Sequence, residues 1–175
     1  GSLTYNPDGM DVYQNKIYMS AFSDKCCVIE IINNERLMFE RIFSVVPNMS
    51  YHGVYVNKSG IFLGACNINP RSQSSQSIPI HLFNSHTNEI TEYDTGFRRR
   101  IKGLQLFDNN TKMIVVSDDK AKGRKNMFDS FVVLYQINEK TKTLKSTDEF
   151  KMKNSQVDGV IMKESIWYAT IHDGN

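Results

Sequence analysis

Tyr51-His52-Gly53-Val54-Tyr55-Val56-Asn57-Lys58-Ser59-Gly60-Ile61-Phe62-Leu63 is the stretch that decides how this chain is read. A polar residue and a glycine open an alternating apolar run, a polar turn follows, and a second apolar run returns. Alternation with period two is the pattern of strands that turn one face to a core. A short turn rich in Asn and Gly between two such runs marks a hairpin. The same outline occurs three more times. Asp8-Gly9-Met10-Asp11-Val12-Tyr13 leads to Ile17-Tyr18-Met19, and Lys102-Gly103-Leu104-Gln105-Leu106 leads to Met113-Ile114-Val115-Val116. Asp158-Gly159-Val160-Ile161-Met162 leads to Ile166-Trp167-Tyr168, and the successive glycines stand 44, 50 and 56 residues apart.

A supersecondary unit that recurs every ~40 to 50 residues points to a β-propeller, in which each blade is a four-stranded antiparallel sheet. The expected fold class is therefore all-β, with blades over 8–46, 50–95, 101–150 and 156–175. Residues 1–7 read as an expression scar (Gly1-Ser2) and a lead-in strand. In the first blade the strands fall at Met10 to Tyr13, Lys16 to Phe22, Cys26 to Ile32 and Leu37 to Val45. A helix competes over Arg36 to Phe43, where Leu37, Phe39, Ile42 and Phe43 nearly fit either period; the repeat decides for strand.

The second and third blades share turn chemistry. Asn84, Thr87 and Ile90 map onto Asn138, Thr141 and Leu144 at one constant offset of 54. The polar run Ile68 to Ser77 lacks apolar anchors and reads as a loop. The fourth copy offers only two strands. About 3.5 blades are present, and the expectation is a fragment of a seven-bladed ring whose remainder comes from the same protein or a second chain.

Composition bounds the function classes. The 175 residues are 40% hydrophobic and 23% charged, with a net charge of +2. That balance belongs to a globular chain and is too mild to argue for nucleic acid on its total. No apolar run approaches the ~18 residues of a membrane span. Cys26, Cys27 and Cys66 form no disulfide framework and no CxxC pair, and the four histidines have no zinc spacing. Neither a metal site nor a cofactor motif is read. The lack of a disulfide framework leans toward the cytoplasm. Three sequons, at Asn48, Asn57 and Asn109, would matter in a secreted protein.

The runs His52-Gly53-Val54-Tyr55-Val56 and Asp158-Gly159-Val160 resemble the strand openings of the YVTN and phosphogluconolactonase-like propellers. Phe107-Asp108-Asn109-Asn110-Thr111-Lys112-Met113-Ile114-Val115-Val116-Ser117-Asp118 is similar to the second-strand pattern of that family. The Trp-Asp ending of WD repeats and the paired glycines of kelch repeats are absent. The resemblance implies the propeller fold. It carries over no catalytic residue, since the family holds both sugar-lactone hydrolases and members without enzymatic role.

Two groups of residues emerge as candidate sites. Asp8, His52, Lys102 and Asp158 each precede an innermost strand, and would ring one mouth of a central channel. Two acids, an imidazole and an ammonium there suit a polar ligand or acid–base work. On the same face, Arg98, Arg99, Arg100, Lys120, Lys122, Arg124 and Lys125 form a basic patch flanked by Phe97 and Phe128. Such a patch suits an anionic partner. The sequence reading is thus a non-catalytic platform for a partner protein or a polar or anionic ligand. Its alternatives are a lactonase-like hydrolase and an extracellular lectin-like module.

Overall fold

The computed structural model describes residues 7–21, 23–69, 77–120, 128–164 and 166–173. Among them every regular element is a strand. The first sheet joins β1 (Gly9–Tyr13), β2 (Lys16–Ala21), β3 (Lys25–Ile32) and β4 (Arg36–Ser44). The second joins β5 (Tyr51–Asn57), β6 (Gly60–Ala65), β7 (Pro79–Asn84) and β8 (Glu89–Asp94). The third joins β9 (Arg100–Phe107), β10 (Lys112–Lys120), β11 (Phe128–Asn138) and β12 (Thr143–Met152). A two-stranded sheet, β13 (Ser155–Lys163) with β14 (Ile166–Asp173), ends the series. All are antiparallel meanders in chain order. The helix that competed over Arg36 to Phe43 does not form; Phe39, Ile42 and Phe43 pair in register with Ile29, Cys27 and Cys26.

Turn residues do what their chemistry predicts. Gln14 and Asn15 both take positive φ, at 48° and 59°, and join β1 to β2 in two residues. That is the turn whose twist matches the strands it connects. At the constant offset of 54, Asn84 Oδ1 accepts from the His86 and Thr87 amides, and Asn138 Oδ1 accepts from those of Lys140 and Thr141. Asn88 and Lys142, also 54 apart, both sit at positive φ. The β7–β8 and β11–β12 hairpins are one device used twice.

The first strands β1, β5, β9 and β13 are neighbours in succession, and each following second strand also touches the next sheet's first. The sheets therefore lie side by side with their first strands converging. The second sheet sits between the first and third. Along β7, Pro79, Ile80, His81 and Phe83 are all buried, so both faces are covered. Along β11 burial alternates, with Val133, Tyr135 and Ile137 buried and Val132 and Leu134 half-buried. Between the sheets lies one core that includes Tyr51, Leu63, Ile80, Tyr93, Ile101, Met113 and Tyr135. No helix among the described residues is long and apolar enough to cross a membrane.

The recurrent glycines explain how close the first strands come. A Cβ on Gly9 would lie 1.8 Å from the His52 carbonyl oxygen, and one on Gly53 would lie 3.1 Å from Leu104 Cδ2. Polar side chains then fasten sheet to sheet. Ser20 Oγ donates to the His52 carbonyl at 2.7 Å, the Val56 amide donates to Asp11 at 2.7 Å, and Tyr135 Oη donates to the Thr95 carbonyl at 2.7 Å. Ser130 Oγ donates to the Ser155 carbonyl at 2.6 Å and accepts from the Val157 amide, which ties β11 to β13.

Candidate functional site

The polar residue before each repeat glycine has a position that the sequence did not suggest. We expected Asp8, His52, Lys102 and Asp158 to precede their strands. Only Asp8 does. The β5–β6 register skips from Tyr51 to Gly53, the β9–β10 register from Ile101 to Gly103, and the β13–β14 register from Val157 to Gly159. His52, Lys102 and Asp158 are therefore the extra residues that the ladder register passes over at β-bulges. A bulge adds one residue, bends the strand and re-aims a side chain. Here it interrupts the alternation that would otherwise fix which face each of these residues occupies. In the first sheet the amide of Asp8 donates to the Ser20 carbonyl, and the strand begins at Gly9.

The described side chains of this set come together. His52 Nε2 lies 3.7 Å from Asp8 Oδ2, the imidazole buried and Asp8 at the exposed edge. Burial holds the His52 imidazole below the ordinary histidine range, and the Lys102 and Arg100 cations push the same way. Asp8 and Asp118 oppose them. His52 is accordingly a neutral imidazole at neutral pH, able to donate from one nitrogen and accept at the other. Lys102 is itself buried. Cys66 closes this group, its Sγ 3.8 Å from the Ile101 carbonyl oxygen. Burial pushes its thiol up to about 12, so it is a protonated thiol and no nucleophile. The backbone of Asp158 takes the corresponding bulge position in β13.

Arg99 and Arg100 are each held by partners within the fold. Arg100 makes a two-pronged pair with Asp118, at 2.8 and 2.9 Å, and the Asp118 carboxylate is wholly buried. Its guanidinium lies 4.8 Å over the Phe128 ring. Arg99 is held between Phe97 and Phe131, at 4.5 and 3.9 Å, while donating to Glu149 at 2.6 Å and to Ser117. The two aromatics that the sequence placed beside the patch are thus stacking partners, one for each of these arginines. Lys120 ends β10 at the same end of the sheet. Lys122, Arg124 and Lys125 lie outside the described residues.

Sequence reasoning missed a buried relay across the second sheet. Tyr51 Oη lies 2.6 Å from His81 Nδ1, His81 Nε2 lies 2.9 Å from Glu92 Oε2, and Asn69 Nδ2 donates to the same oxygen at 2.7 Å. Burial lowers His81 and the Glu92 contact only partly offsets it. A neutral ring then accepts from the tyrosine at Nδ1 and donates to the carboxylate from Nε2. The sequence signal was a histidine amid the apolar run Ile80 to Phe83. A separate apolar groove of about 320 Å³ lies on the third sheet, lined by Ile114, Val132, Leu134 and Phe150 with Asp148 and Glu149.

No protein-family model matches this chain, and no curated protein matches it. Among solved structures it is similar to the crystal structure of the computationally designed Ika4 protein. That match has a TM-score of 0.54 at 11% identity and covers 98% of this chain and 91% of the other. The crystal structure of the computationally designed Ika8 protein overlaps at a TM-score of 0.38 and 15% identity, covering 95% and 68%. At such identity the first likeness speaks to fold alone.

Proposed function

We propose that the successive sheets are blades of a β-propeller of the YVTN and phosphogluconolactonase-like kind, and that the chain is a non-catalytic binding platform. Its site is the mouth where Asp8, His52 and Lys102 meet, and its ligand is a polar or anionic group presented by a partner or a small molecule. The observation that supports this best is the bulge before the repeat glycine. It costs ladder pairing in three sheets and places a different polar residue in each, His52, Lys102 and Asp158. Packing alone would be served by one repeated residue type. A buried Lys102 beside a neutral His52 offers donors to an anionic oxygen, while Asp8 and Asp118 oppose the nearby cations in their effect on His52.

The test is an amide-resolved NMR titration with phosphate, gluconate and a short acidic peptide as separate probes. Shifts confined to residues around His52 and Lys102, and abolished by Lys102→Gln, are expected for at least one probe. Shifts scattered over the surface, or unchanged by Lys102→Gln, would remove the mouth as the site. Hydrolysis of a sugar lactone by the wild type, lost on His52→Ala, would restore the enzyme reading.

A further inference from the structure

Arg99 and Arg100 are both fixed, but only one of them is closed in. Phe97 and Phe131 flank the Arg99 guanidinium, Ser117 and Glu149 take its Nε and Nη2, and its side chain is 15% exposed. Arg100 has a single ring against it, Phe128 at 4.8 Å, and its side chain is 35% exposed. Asp118 takes Nε and Nη2 at 2.8 and 2.9 Å, which is the lateral edge of the guanidinium. A guanidinium carries five donors in a rigid planar fork. With the lateral edge taken, the end of the fork remains, where one hydrogen of Nη1 and one of Nη2 point the same way. Among the described residues Nη1 has no hydrogen-bond or ion-pair partner.

That open edge belongs to the same group of side chains as the mouth. Arg100 begins β9, and Lys102, the bulge residue of that strand, stands two positions on. The Ile101 carbonyl between them lies 3.8 Å from Cys66 Sγ. The charges of Arg100 and Asp118 both act on His52 and on Cys66, as the charges of Lys102 and Asp8 do.

We infer that Arg100 is a further ligand-binding residue of this mouth, and that its open edge takes two oxygens of one oxyanion, a carboxylate or a phosphate. Two parallel N–H donors match the spacing of two oxygens on one such group, which a lysine cannot do. The arginine is set for this before any ligand arrives. The buried Asp118 fixes the plane of the fork, Phe128 covers one of its faces, and little side-chain freedom is left to lose on binding. Lys102 adds a cation without a preferred plane, so in this arrangement Arg100 supplies direction and Lys102 supplies charge. Asp118 and Phe128 act through Arg100 and are positioning residues. The inference rests on the platform reading of the mouth and names the group that the ligand must carry.

The experiment is the NMR titration with phosphate, gluconate and a short acidic peptide, repeated on Arg100→Lys and on Lys102→Gln. Arg100→Lys keeps a cation beside Asp118 and loses the fork. It should raise the dissociation constant of any probe that binds at least ~5-fold, as expected where a two-pronged contact becomes a single one. The His52 titration midpoint should stay where it is, because the charge near the ring is retained. A loss for phosphate alone or for gluconate and peptide alone supports the inference and says which oxyanion the fork takes. Affinity within two-fold of wild type in Arg100→Lys, with binding abolished by Lys102→Gln, overturns the inference and leaves the platform reading intact. Weaker binding together with a displaced His52 midpoint means that Arg100 only holds the cluster together, and overturns it too. No probe shifting the residues around His52 and Lys102 removes the platform reading and this inference with it. If Arg100→Lys does not fold, Phe128→Leu replaces it, since that change loosens the arginine without stranding Asp118. It should weaken binding several-fold and Phe128→Tyr should restore it; equal affinity in all three proteins overturns the inference.

Discussion

Replacing Gly9 by Ala probes the packing of the first strands at its tightest point. The new methyl carbon would stand 1.8 Å from the His52 carbonyl oxygen and 3.0 Å from Ser20 Oγ. The nearest obstacle is backbone and cannot rotate away, so β1 and β5 must separate. Overpacking of this kind costs ~1 to 3 kcal/mol. Separation also strains two hydrogen bonds, Ser20 Oγ to the His52 carbonyl at 2.7 Å and the Gly9 amide to Ser20 Oγ at 3.1 Å. Each is worth about 1 kcal/mol. A loss of about 3 kcal/mol is expected, read as the midpoint shift in urea at constant slope. Gly53→Ala is the control. There the nearest contact is 3.1 Å to Leu104 Cδ2, the end of a side chain, and the nearest backbone atom, Gly103 Cα, is 3.3 Å away rather than 1.8 Å, so the cost should be less than half as large. Equal costs at the two glycines, or a Gly9→Ala protein within ~0.5 kcal/mol of wild type, would refute the close approach of β1 to β5.

Other substitutions follow from buried polar pairs. Tyr51→Phe removes the hydroxyl 2.6 Å from His81 and leaves a buried ring nitrogen without its donor, which should cost ~1 to 3 kcal/mol in the same assay. Arg100→Ala strands the buried Asp118 carboxylate; because the arginine is itself about a third exposed, the loss should fall near ~2 kcal/mol, below the ~3 to 5 of a fully buried pair. Lys112→Ala, which breaks an exposed pair with Asp108, should stay within ~0.5 kcal/mol. His52 and His81 both bind protons less readily in the fold than in the unfolded chain. Their contribution is therefore complete above ~6.5, the unfolded histidine value, and is lost as pH falls from there through the lower folded values. Urea midpoints at pH 7.5 and 5.5 should show the protein weaker at the lower pH, and His81→Gln should flatten that difference.

What the sequence disclosed was whatever has a local cause. The hairpin turns were legible because an Asn side chain that caps two amides, or a residue at positive φ, writes itself into neighbouring positions; the offset of 54 between Asn84 and Asn138 is that chemistry seen twice. The repeat glycines were legible as punctuation, but their reason was not, since the atoms that Gly9 and Gly53 would strike belong to the next sheet. The bulges were hidden for a related reason. A residue such as Lys102 looks like the end of a loop until the register across β10 shows Val116 opposite Gly103 and Ser117 opposite Ile101. Arg99 and Arg100 read as a charged loop because their partners, Glu149 and Asp118, lie 50 and 18 residues away. Charge counted along the chain cannot reveal pairing across a sheet.

The meeting of His52, Asp8 and Lys102 in one cluster is tested most directly by the titration of the His52 ring, followed by NMR through its carbon-bound protons. In the wild type its midpoint should lie below the free histidine value. Lys102→Gln removes a cation that opposes the imidazolium, so the midpoint should rise. Asp8→Asn removes an anion that supports it, so the midpoint should fall further. Opposite shifts from the two variants are the predicted result. A His52 midpoint at the free value, unmoved by either change, would mean that the three side chains do not share a site.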